Sequence, residues 1–296
     1  MSFYIRKNGQ TKKLGRVPDK YPAEHLSYDT MTAGIKNSLH NRGKDITEYW
    51  KDGSLWNRIA GTNGFELFED LYLGDYIELD TAITASGSDT TGTKKIVIGE
   101  FDPLNNYQLT GNSDMTGYFH HLLMVPDTHF GKAKMNSSNT TAGGYVGSAM
   151  HTSVLGQYNT SNSISAQLYT QLGSHLKKTK ELLSNSINAS GYNRLGANSG
   201  CANNWTWADC YSVLLSEIET YGSIVWSSSG YDTGNAKKQI AAFANDEQLM
   251  MPQEIYFWLK DIATATHFCI TNGGSGNARY GHASDASFVR PRFILA

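Results

Sequence analysis

Residues 287 to 296, SFVRPRFILA, end the sequence on an alternating pattern. The two alternating sets are Val289, Pro291, Phe293 and Leu295 and, between them, Arg290, Arg292 and Ile294. A period of two is typical of a strand with one buried face, whereas chain ends that are not held in place are usually polar and frayed. We therefore expect the chain to end on a core strand, and its two arginines to pair with carboxylates such as Asp261 or Asp285.

The composition indicates a globular chain with more strand and loop than helix. Of its 296 residues, 40% are hydrophobic and only 18% are charged, while Gly, Ser, Thr, Asn and Tyr are abundant, a mixture that suits turns and polar strands. The net charge of −2 gives no reason to expect nucleic-acid binding. No apolar run approaches the ~18 residues that span a bilayer, and the N-terminus has no signal-peptide pattern. We expect synthesis in a cytoplasm and no membrane insertion.

The three cysteines, Cys201, Cys210 and Cys269, lack the paired close spacings of a zinc site. Cys269 lies in an apolar run and is expected to be a small core residue. A disulfide between Cys201 and Cys210 is an alternative that the sequence leaves open, if the protein meets an oxidising exterior. We expect no metal and no cofactor.

The chain divides into three regions at the sequence level. Residues 1 to 45 contain two prolines and few large aliphatic residues, which predicts an extended arm that needs a partner. Residues 46 to 64 carry apolar residues at helical spacings, interrupted by Gly53 and closed by Gly61, and are predicted to form a collar of two short helices. Residues 65 to 296 make up the remaining domain.

Strands and helices of this domain are predicted from their periodicity. GDYIEL (74 to 79), KKIVIGEFD (94 to 102) and HHLLMVPD (120 to 127) are typical of strands. Leucines recur by fours and sevens in residues 165 to 187, which predicts one long helix that packs on the sheet. VLLSEIETYG (213 to 222) predicts a strand that leads into a short helix, with a capping box between Ser216 and Glu219.

Residues 188 to 210 and 226 to 236 show neither period and are predicted to be long loops. They carry Trp205, Trp207 and Tyr231. Long irregular loops within a compact domain are usually functional, so these three residues are candidate binding residues.

Several stretches together resemble a known family. WLKD (258 to 261), the Gly-rich segment from 271 to 286 and VRPRF (289 to 293) resemble the ending of an uncharacterised family of C-terminal domains in gut-bacterial phages and prophages. GDYIEL, HHLLMVPD and TAGGYVGSAM (141 to 150) are similar to the same family, so the resemblance covers residues 65 to 296. This family resembles the C-type-lectin-like fold that phage tropism determinants share with formylglycine-generating enzymes. The resemblance implies an α+β, C-type-lectin-like domain with long loops, in which the terminal strands pair.

The resemblance also implies a binding surface and a location. Related phage proteins bind through the loop between their last two strands, which is residues 272 to 284 here. The candidate ligand-binding residues are Asn272, Asn277, Arg279, Tyr280 and His282, joined by Trp205, Trp207 and Tyr231. Residues of these types provide rigid aromatic contacts and adaptable hydrogen bonds in binding loops.

The N-terminal segment VPDKYPAEHLSYD (17 to 29) resembles the arm by which phage fibre and head-decoration proteins attach to the virion. The resemblance therefore implies a virion protein assembled in the cytoplasm of the host bacterium. We expect a homo-oligomer, with three subunits as the expected count, that contacts other virion proteins through the arm. The expected ligand is a host cell-surface glycan or protein.

Two other functions stay open beside recognition. A structural decoration or scaffolding protein with no host ligand would have the same low charge, frequent turns and N-terminal arm. A formylglycine-generating type of enzyme is suggested by the shared fold alone. Cys201 and Cys210 have no recognisable Cys/His constellation around them in sequence, so we expect no catalytic residues.

Calcium-dependent sugar binding by C-type lectins uses an EPN or QPD tripeptide and a WND tripeptide, which supply hard oxygen ligands. The chain has neither motif: residues 252 to 254 read PQE and residues 207 to 209 read WAD. We therefore expect no calcium in the recognition loop.

Overall fold

The computed structural model describes residues 2–7, 10–16, 36–37, 40–111, 117–188, 201–228, 238–252 and 255–296. These residues form an α+β fold, as predicted, in which the strands pair mostly antiparallel. The strands are β1 Ser2–Lys7, β2 Gln10–Arg16, β3 Tyr76–Glu78, β4 Lys95–Phe101, β5 Leu122–Pro126, β6 Lys132–Lys134, β7 Leu176–Lys177, β8 Thr179–Ile187, β9 Ala202–Cys210, β10 Ser212–Leu214, β11 Trp258–Ile262, β12 His267–Thr271, β13 Ala278–His282, β14 Ala286–Phe288 and β15 Pro291–Leu295.

The helices are short. The α-helices are α1 Thr47–Lys51, α2 Ser54–Ala60, α3 Asn106–Thr110, α4 Ile164–Leu172, α5 Glu217–Tyr221, α6 Ala241–Asn245 and α7 Glu247–Met250, beside a π-helix over Met150–Leu155 and a 3-10 turn over Gly173–His175. Among the described residues, no helix has the length and apolarity needed to cross a membrane.

The main sheet has its C-terminal strand near its centre. Its strand order is β10-β15-β5-β4-β3, and β7 also pairs with β15. In register, Phe293 lies opposite Met124 of β5 and Ser212 of β10. The predicted core strand at the chain end is therefore confirmed. All five residues of β15 are buried, on both faces, whereas the alternating sequence predicted only one buried face.

The last residue is held in place by a histidine and a tryptophan. The backbone N–H of Ala296 donates to the carbonyl of His175 at 3.1 Å, and His175 Nδ1 lies 2.8 Å from the carbonyl oxygen of Ala296. Trp56 of α2 stacks on the His175 ring, with centroids 3.7 Å apart and planes within 2° of parallel. The two helices predicted for the collar are present, and the second of them contacts the residue that fixes the chain end.

The terminal strands of the domain do not pair in the described residues. The first strand of the region 65–296, β3, lies at one edge of the main sheet, and β4 and β5 separate it from β15. This arrangement differs from the strand pairing that the resemblance implied. The partners of β15 are instead β5 on one side and β10 and β7 on the other.

The long helix predicted over residues 165 to 187 is wrong. Helix α4 ends at Leu172, because Gly173 adopts a positive φ of 58° that breaks the helical path. The chain then continues as β7 and β8, and in β8 Thr179, Glu181 and Leu183 are buried in alternation. The leucines that recur by fours and sevens are therefore divided between a helix and a strand.

The loop predicted over residues 188 to 210 is also wrong in its second half. Residues 202–210 form β9, which pairs with β8 along its length. Cys201 precedes this strand and Cys210 ends it, so about nine residues of extended chain, roughly 30 Å, separate them. That separation is far beyond disulfide reach. None of the three cysteines forms a disulfide and all are buried, which excludes the Cys201–Cys210 bridge and confirms Cys269 as a core residue.

Residues just before the collar contact the domain. Lys36 is buried and donates to the carbonyl of Leu67 at 2.6 Å. Arg42 donates to Asp70 at 2.5 Å and to Asp75 at 2.9 Å. These contacts fasten the end of the N-terminal region to residues 67 to 75, while β1 and β2 form a separate two-stranded sheet.

Candidate functional site

The predicted recognition loop lies on β13 and on the turn that leads into it. β11, β12 and β13 form a three-stranded antiparallel sheet with β13 at its edge. The turn is closed by Asn272, whose side-chain oxygen accepts from the Gly274 N–H at 3.2 Å and whose carbonyl accepts from the Gly276 N–H at 2.7 Å. Asn272 is buried, so its side chain shapes the turn. Asn277 is exposed, and its side-chain oxygen accepts from the Ser275 hydroxyl at 3.0 Å.

Four aromatic rings form a continuous row beside this turn, which we call the aromatic row: Trp226, Tyr280, His267 and His282. Trp226 meets Tyr280 edge-on at a centroid distance of 4.9 Å, and Tyr280 meets His267 edge-on at 5.2 Å. The His267 and His282 rings lie 4.1 Å apart and tilted by 34°. The first three residues are partly exposed and His282 is exposed, so the row is accessible from outside the protein.

Strand register places these side chains on one face. His267 lies opposite His282, and Cys269 lies opposite Tyr280, in the β12–β13 pair. Opposite residues of an antiparallel pair point to the same face. On the other face, Gly281 lies against Trp258, and a Cβ atom at Gly281 would come within 2.8 Å of that indole. The glycine therefore lets Trp258 pack closely beneath the sheet.

Trp226 is held by a buried carboxylate. Glu217, at the start of α5, accepts hydrogen bonds from the backbone N–H groups of Val225 at 2.9 Å, Trp226 at 3.1 Å and Ser227 at 3.1 Å. It also accepts from the Ser227 hydroxyl at 2.8 Å. The indole Nε1 of Trp226 donates to the carbonyl of Ala278 at 3.0 Å. Residues 225 to 227 are thereby held in place in the unliganded protein.

The capping box predicted in α5 is present and contributes to this support. The Ser216 hydroxyl accepts from the Glu219 N–H at 3.1 Å, and the Glu219 carboxylate accepts from the Ser216 N–H at 2.8 Å. At the other end of the helix, the Tyr221 hydroxyl donates to the carbonyl of Asn277 at 3.1 Å. Burial raises the pKa of Tyr221, so its hydroxyl stays a donor at neutral pH.

The two histidines of the row have separate hydrogen-bond partners. The Asn139 amide nitrogen donates to Nδ1 of His282 at 2.7 Å, and the Asn139 oxygen accepts from the Ala283 N–H at 3.1 Å. This arrangement assigns the ring proton of neutral His282 to Nε2. His267 Nδ1 lies 2.8 Å from the Thr264 hydroxyl, and burial followed by the charge of His282 lowers the pKa of His267. The lowered pKa favours a neutral, apolar ring face at position 267 at neutral pH.

The other predicted site residues are distributed differently. Arg279 is exposed, and strand alternation places it on the face opposite Tyr280. Trp205 and Trp207 lie on β9, in the separate β8–β9 sheet, and Trp207 packs edge-on against Tyr107 of α3 at 4.8 Å. Tyr231 lies outside the described residues. The aromatic row therefore contains Tyr280 and His282 from the predicted set.

Trp226, His267 and Glu217 were not predicted as site residues. Trp226 is the first residue of the predicted loop 226 to 236, and nothing in the sequence joins residue 226 to residue 280. His267 belongs to the row because the strand register places it opposite His282. The sequence does not show which residue of β12 faces His282. Glu217 lies in a capping-box pattern, which predicts a helix start but gives no sign of a carboxylate that holds a distant loop.

The described residues contain no group of three or more His, Cys, Asp or Glu side chains that could hold a metal ion. The arrangement on β12 and β13 is instead suited to contact through ring faces and edge hydrogen bonds. Comparisons of the chain with protein families, with curated proteins and with solved structures found no match.

Proposed function

We propose that this chain is a phage virion protein that displays a C-type-lectin-like domain for recognition of a host-surface glycan, and that the aromatic row is the binding surface. The virion assignment is supported by the sequence resemblance over residues 65 to 296 and by the arm-like N-terminal segment. The observation that carries the binding assignment is the run of four partly or fully exposed rings, Trp226, Tyr280, His267 and His282, beside the predicted recognition turn.

Sugar recognition suits the chemistry of this surface. Aromatic faces pack against the C–H faces of pyranose rings, while Tyr and His edges also supply hydrogen-bond donors and acceptors. Asn277, exposed on the adjacent turn, offers an amide donor for hydroxyl groups. Individual contacts of this kind are weak, so several copies in a homo-oligomer, with a trimer as the expected form, would raise the avidity.

Fixed geometry supports the proposal further. Glu217 immobilises residues 225 to 227 through four hydrogen bonds. A surface that is already ordered loses less conformational entropy on binding than a loop that must become ordered. Rigid support of this kind favours ligand binding, whereas a surface that contacts only solvent gains little from it.

The test combines location with binding. Labelled antibody against the chain should mark an outward-facing position on intact phage particles, and the purified protein should bind the surface polysaccharide of the host strain. Antibody marking without any polysaccharide or cell binding would favour the structural decoration function. Absence of the chain from particles would overturn the virion assignment, whatever the purified protein binds.

A further inference from the structure

A cavity of about 420 Å³ lies on the main sheet, away from the aromatic row. Glu100 of β4, Leu123 of β5 and Arg292 of β15 line it from three neighbouring strands. Glu219 of α5 and Lys238 complete its charged lining. Pockets that hold small molecules usually have volumes between roughly 300 and 1,000 Å³ and a few convergent polar groups, so this cavity has the size of a ligand site.

On one side of the cavity, the charged side chains form ion pairs with one another. Arg292 donates from Nε to Glu219 and from Nη1 and Nη2 to Glu181, the latter two at 2.8 Å. Lys260 adds a second cation 3.5 Å from Glu219. Although burial raises the pKa of Glu219, the charges of Arg292 and Lys260 outweigh burial and lower it to about 2. These four groups are paired with one another.

On the other side of the cavity, the buried carboxylate of Glu100 pairs with Lys238, which is largely exposed to solvent. The Glu100 side chain is only 3% exposed, yet its ion-pair partner Lys238 is 61% exposed. The Glu100 carboxylate also accepts from the backbone N–H of Ala241. Burial raises the pKa of Glu100, while Lys238 acts in the opposite direction. The ammonium of an exposed lysine is thus the cation that compensates a nearly buried carboxylate.

Among the residues that the structure describes, the charges balance only while Lys238 is in place. Within that part of the chain, the cavity and its paired network contain three carboxylates, Glu100, Glu181 and Glu219, and three cations, Lys238, Lys260 and Arg292. When Lys238 moves into solvent, one negative charge is left without a partner, and it lies on Glu100. An exposed lysine loses little by this movement, since water solvates its ammonium well.

We propose that the cavity binds a small polyhydroxylated amine of the amino-sugar class, whose primary ammonium replaces that of Lys238 on Glu100. The lysine occupies the ammonium position in the unliganded protein, and the remaining volume accommodates the body of the ligand. Asn105 and Gln108 also line the cavity and offer side-chain amide groups to the ligand's hydroxyl groups. This site is separate from the aromatic row and does not depend on the function proposed for it.

Three sugars that differ at one substituent provide the test. Glucosamine carries a primary ammonium, N-acetylglucosamine carries a neutral amide, and glucose carries a hydroxyl at the same carbon. Each is titrated into the full chain, and binding is followed by the backbone NMR signal of Ala241, whose N–H donates to Glu100. Glucosamine should shift this signal in a saturable way, and the other two sugars should leave it unchanged. Equal shifts with all three, or no shift with glucosamine, would overturn the proposal.

Two substitutions test whether the ligand's ammonium binds at Glu100 in place of Lys238. Lys238→Met removes the internal competitor and should tighten glucosamine binding by about fivefold, which corresponds to ~1 kcal/mol. Glu100→Gln keeps the shape of the side chain and should abolish binding. Weaker binding by Lys238→Met than by the wild-type chain would contradict the replacement of Lys238. Because Lys238 is exposed, this variant tests the proposal even if Glu100→Gln does not fold.

Discussion

Arg292 of the last strand donates two parallel hydrogen bonds to Glu181 of β8, each with a nitrogen–oxygen distance of 2.8 Å. Arg292 is 2% exposed and Glu181 is fully buried. The same guanidinium donates from Nε to Glu219 of α5. The terminal strand is therefore joined to a second sheet and to the helix that supports the aromatic row. Burial acts to lower the pKa of Arg292, but the two carboxylates outweigh it and raise the pKa, which keeps the guanidinium charged.

Loss of this arginine should destabilise the protein strongly. Arg292→Met leaves Glu181 and Glu219 buried without their main partner, and such a loss costs ~3–5 kcal/mol. Lys51→Met is the matched control, because Lys51 and Asp80 form an ion pair in which both side chains are exposed, and its removal should cost ~1 kcal/mol or less. Urea unfolding at pH 7 measures both. Equal, small losses in the two variants would contradict the role of the buried network.

The partners of the two C-terminal arginines could not be predicted from the sequence. Asp261 and Asp285 were expected, but Arg292 pairs with Glu181 and Glu219, and Arg290 donates to the backbone carbonyls of Met250 at 2.9 Å and Leu249 at 2.6 Å. Glu181 is 111 residues away from Arg292, in a segment whose leucine spacing indicated a helix. Because this segment was predicted to be helical, the position of Glu181 on a strand opposite Arg292 could not be predicted.

Removal of residues 291 to 296 should prevent folding. This deletion removes β15, whose backbone pairs with β5, β7 and β10, and with it the buried Phe293, Ile294 and Leu295. Each such side chain contributes ~1.5–3 kcal/mol of burial, against a total stability of ~5–15 kcal/mol for a typical domain. Deletion of residues 1 to 16 is the control, because β1 and β2 pair only with each other in their sheet.

Soluble yield and thermal melting compare the two truncations. We expect the N-terminal deletion to melt near the temperature of the full chain and the C-terminal deletion to aggregate. A C-terminal deletion that melts like the full chain would show that β15 is dispensable for the fold.

Acidification should destabilise the fold through His151. Burial lowers the pKa of His151 to about 4, and its buried Nδ1 has no hydrogen-bond partner among the described residues. The unfolded chain binds a proton at this position near pH 6.5, whereas the folded protein does so only near pH 4. Stability is therefore lost as the pH falls from about 7 to 5, by ~1–2 kcal/mol from this residue.

His151→Phe removes this titration while it keeps a ring beside Tyr145, whose centroid lies 5.4 Å from that of His151. Urea unfolding at pH 7 and pH 5 should show a smaller loss of stability for the variant than for the wild-type chain. An identical pH dependence for both proteins would mean that His151 is protonated in the folded state at pH 5.

All three cysteines should behave as reduced, protected thiols. Burial, with the negative charge of Glu181 adding to it, raises the pKa of Cys210, and Cys201 and Cys269 are buried as well. A thiol-specific chromogenic reagent should react with few groups in the native protein and with three in urea, and a reductant should not change the melting temperature. A count of one thiol in urea would show that a disulfide had formed.

The residues of the aromatic row were predicted in part. Tyr280 and His282 were selected from a Gly-rich segment near the chain end, and the structure places both in the aromatic row. Trp205 and Trp207 were grouped with them because residues 188 to 210 lacked a clear period. Residues 202–210 nevertheless form β9, in which only the end residues Ala202 and Cys210 are buried, so no period of two marks the strand. The contribution of Trp226 depends on four hydrogen bonds to Glu217, a relationship between residues in space that no local pattern encodes.

Binding of host-surface polysaccharide by single-ring variants tests the central claim most directly. Tyr280→Ala removes the middle of the aromatic row, while Tyr256→Ala removes another ring, 40% exposed, outside the row. Surface binding and melting temperature are measured together for both variants and for the wild-type chain. We predict that Tyr280→Ala lowers the affinity at least tenfold with little change in melting temperature, since burial of a large apolar side chain contributes ~1.5–3 kcal/mol, and that Tyr256→Ala binds normally. Undiminished binding by a folded Tyr280→Ala protein would contradict the assignment of the aromatic row as the recognition surface.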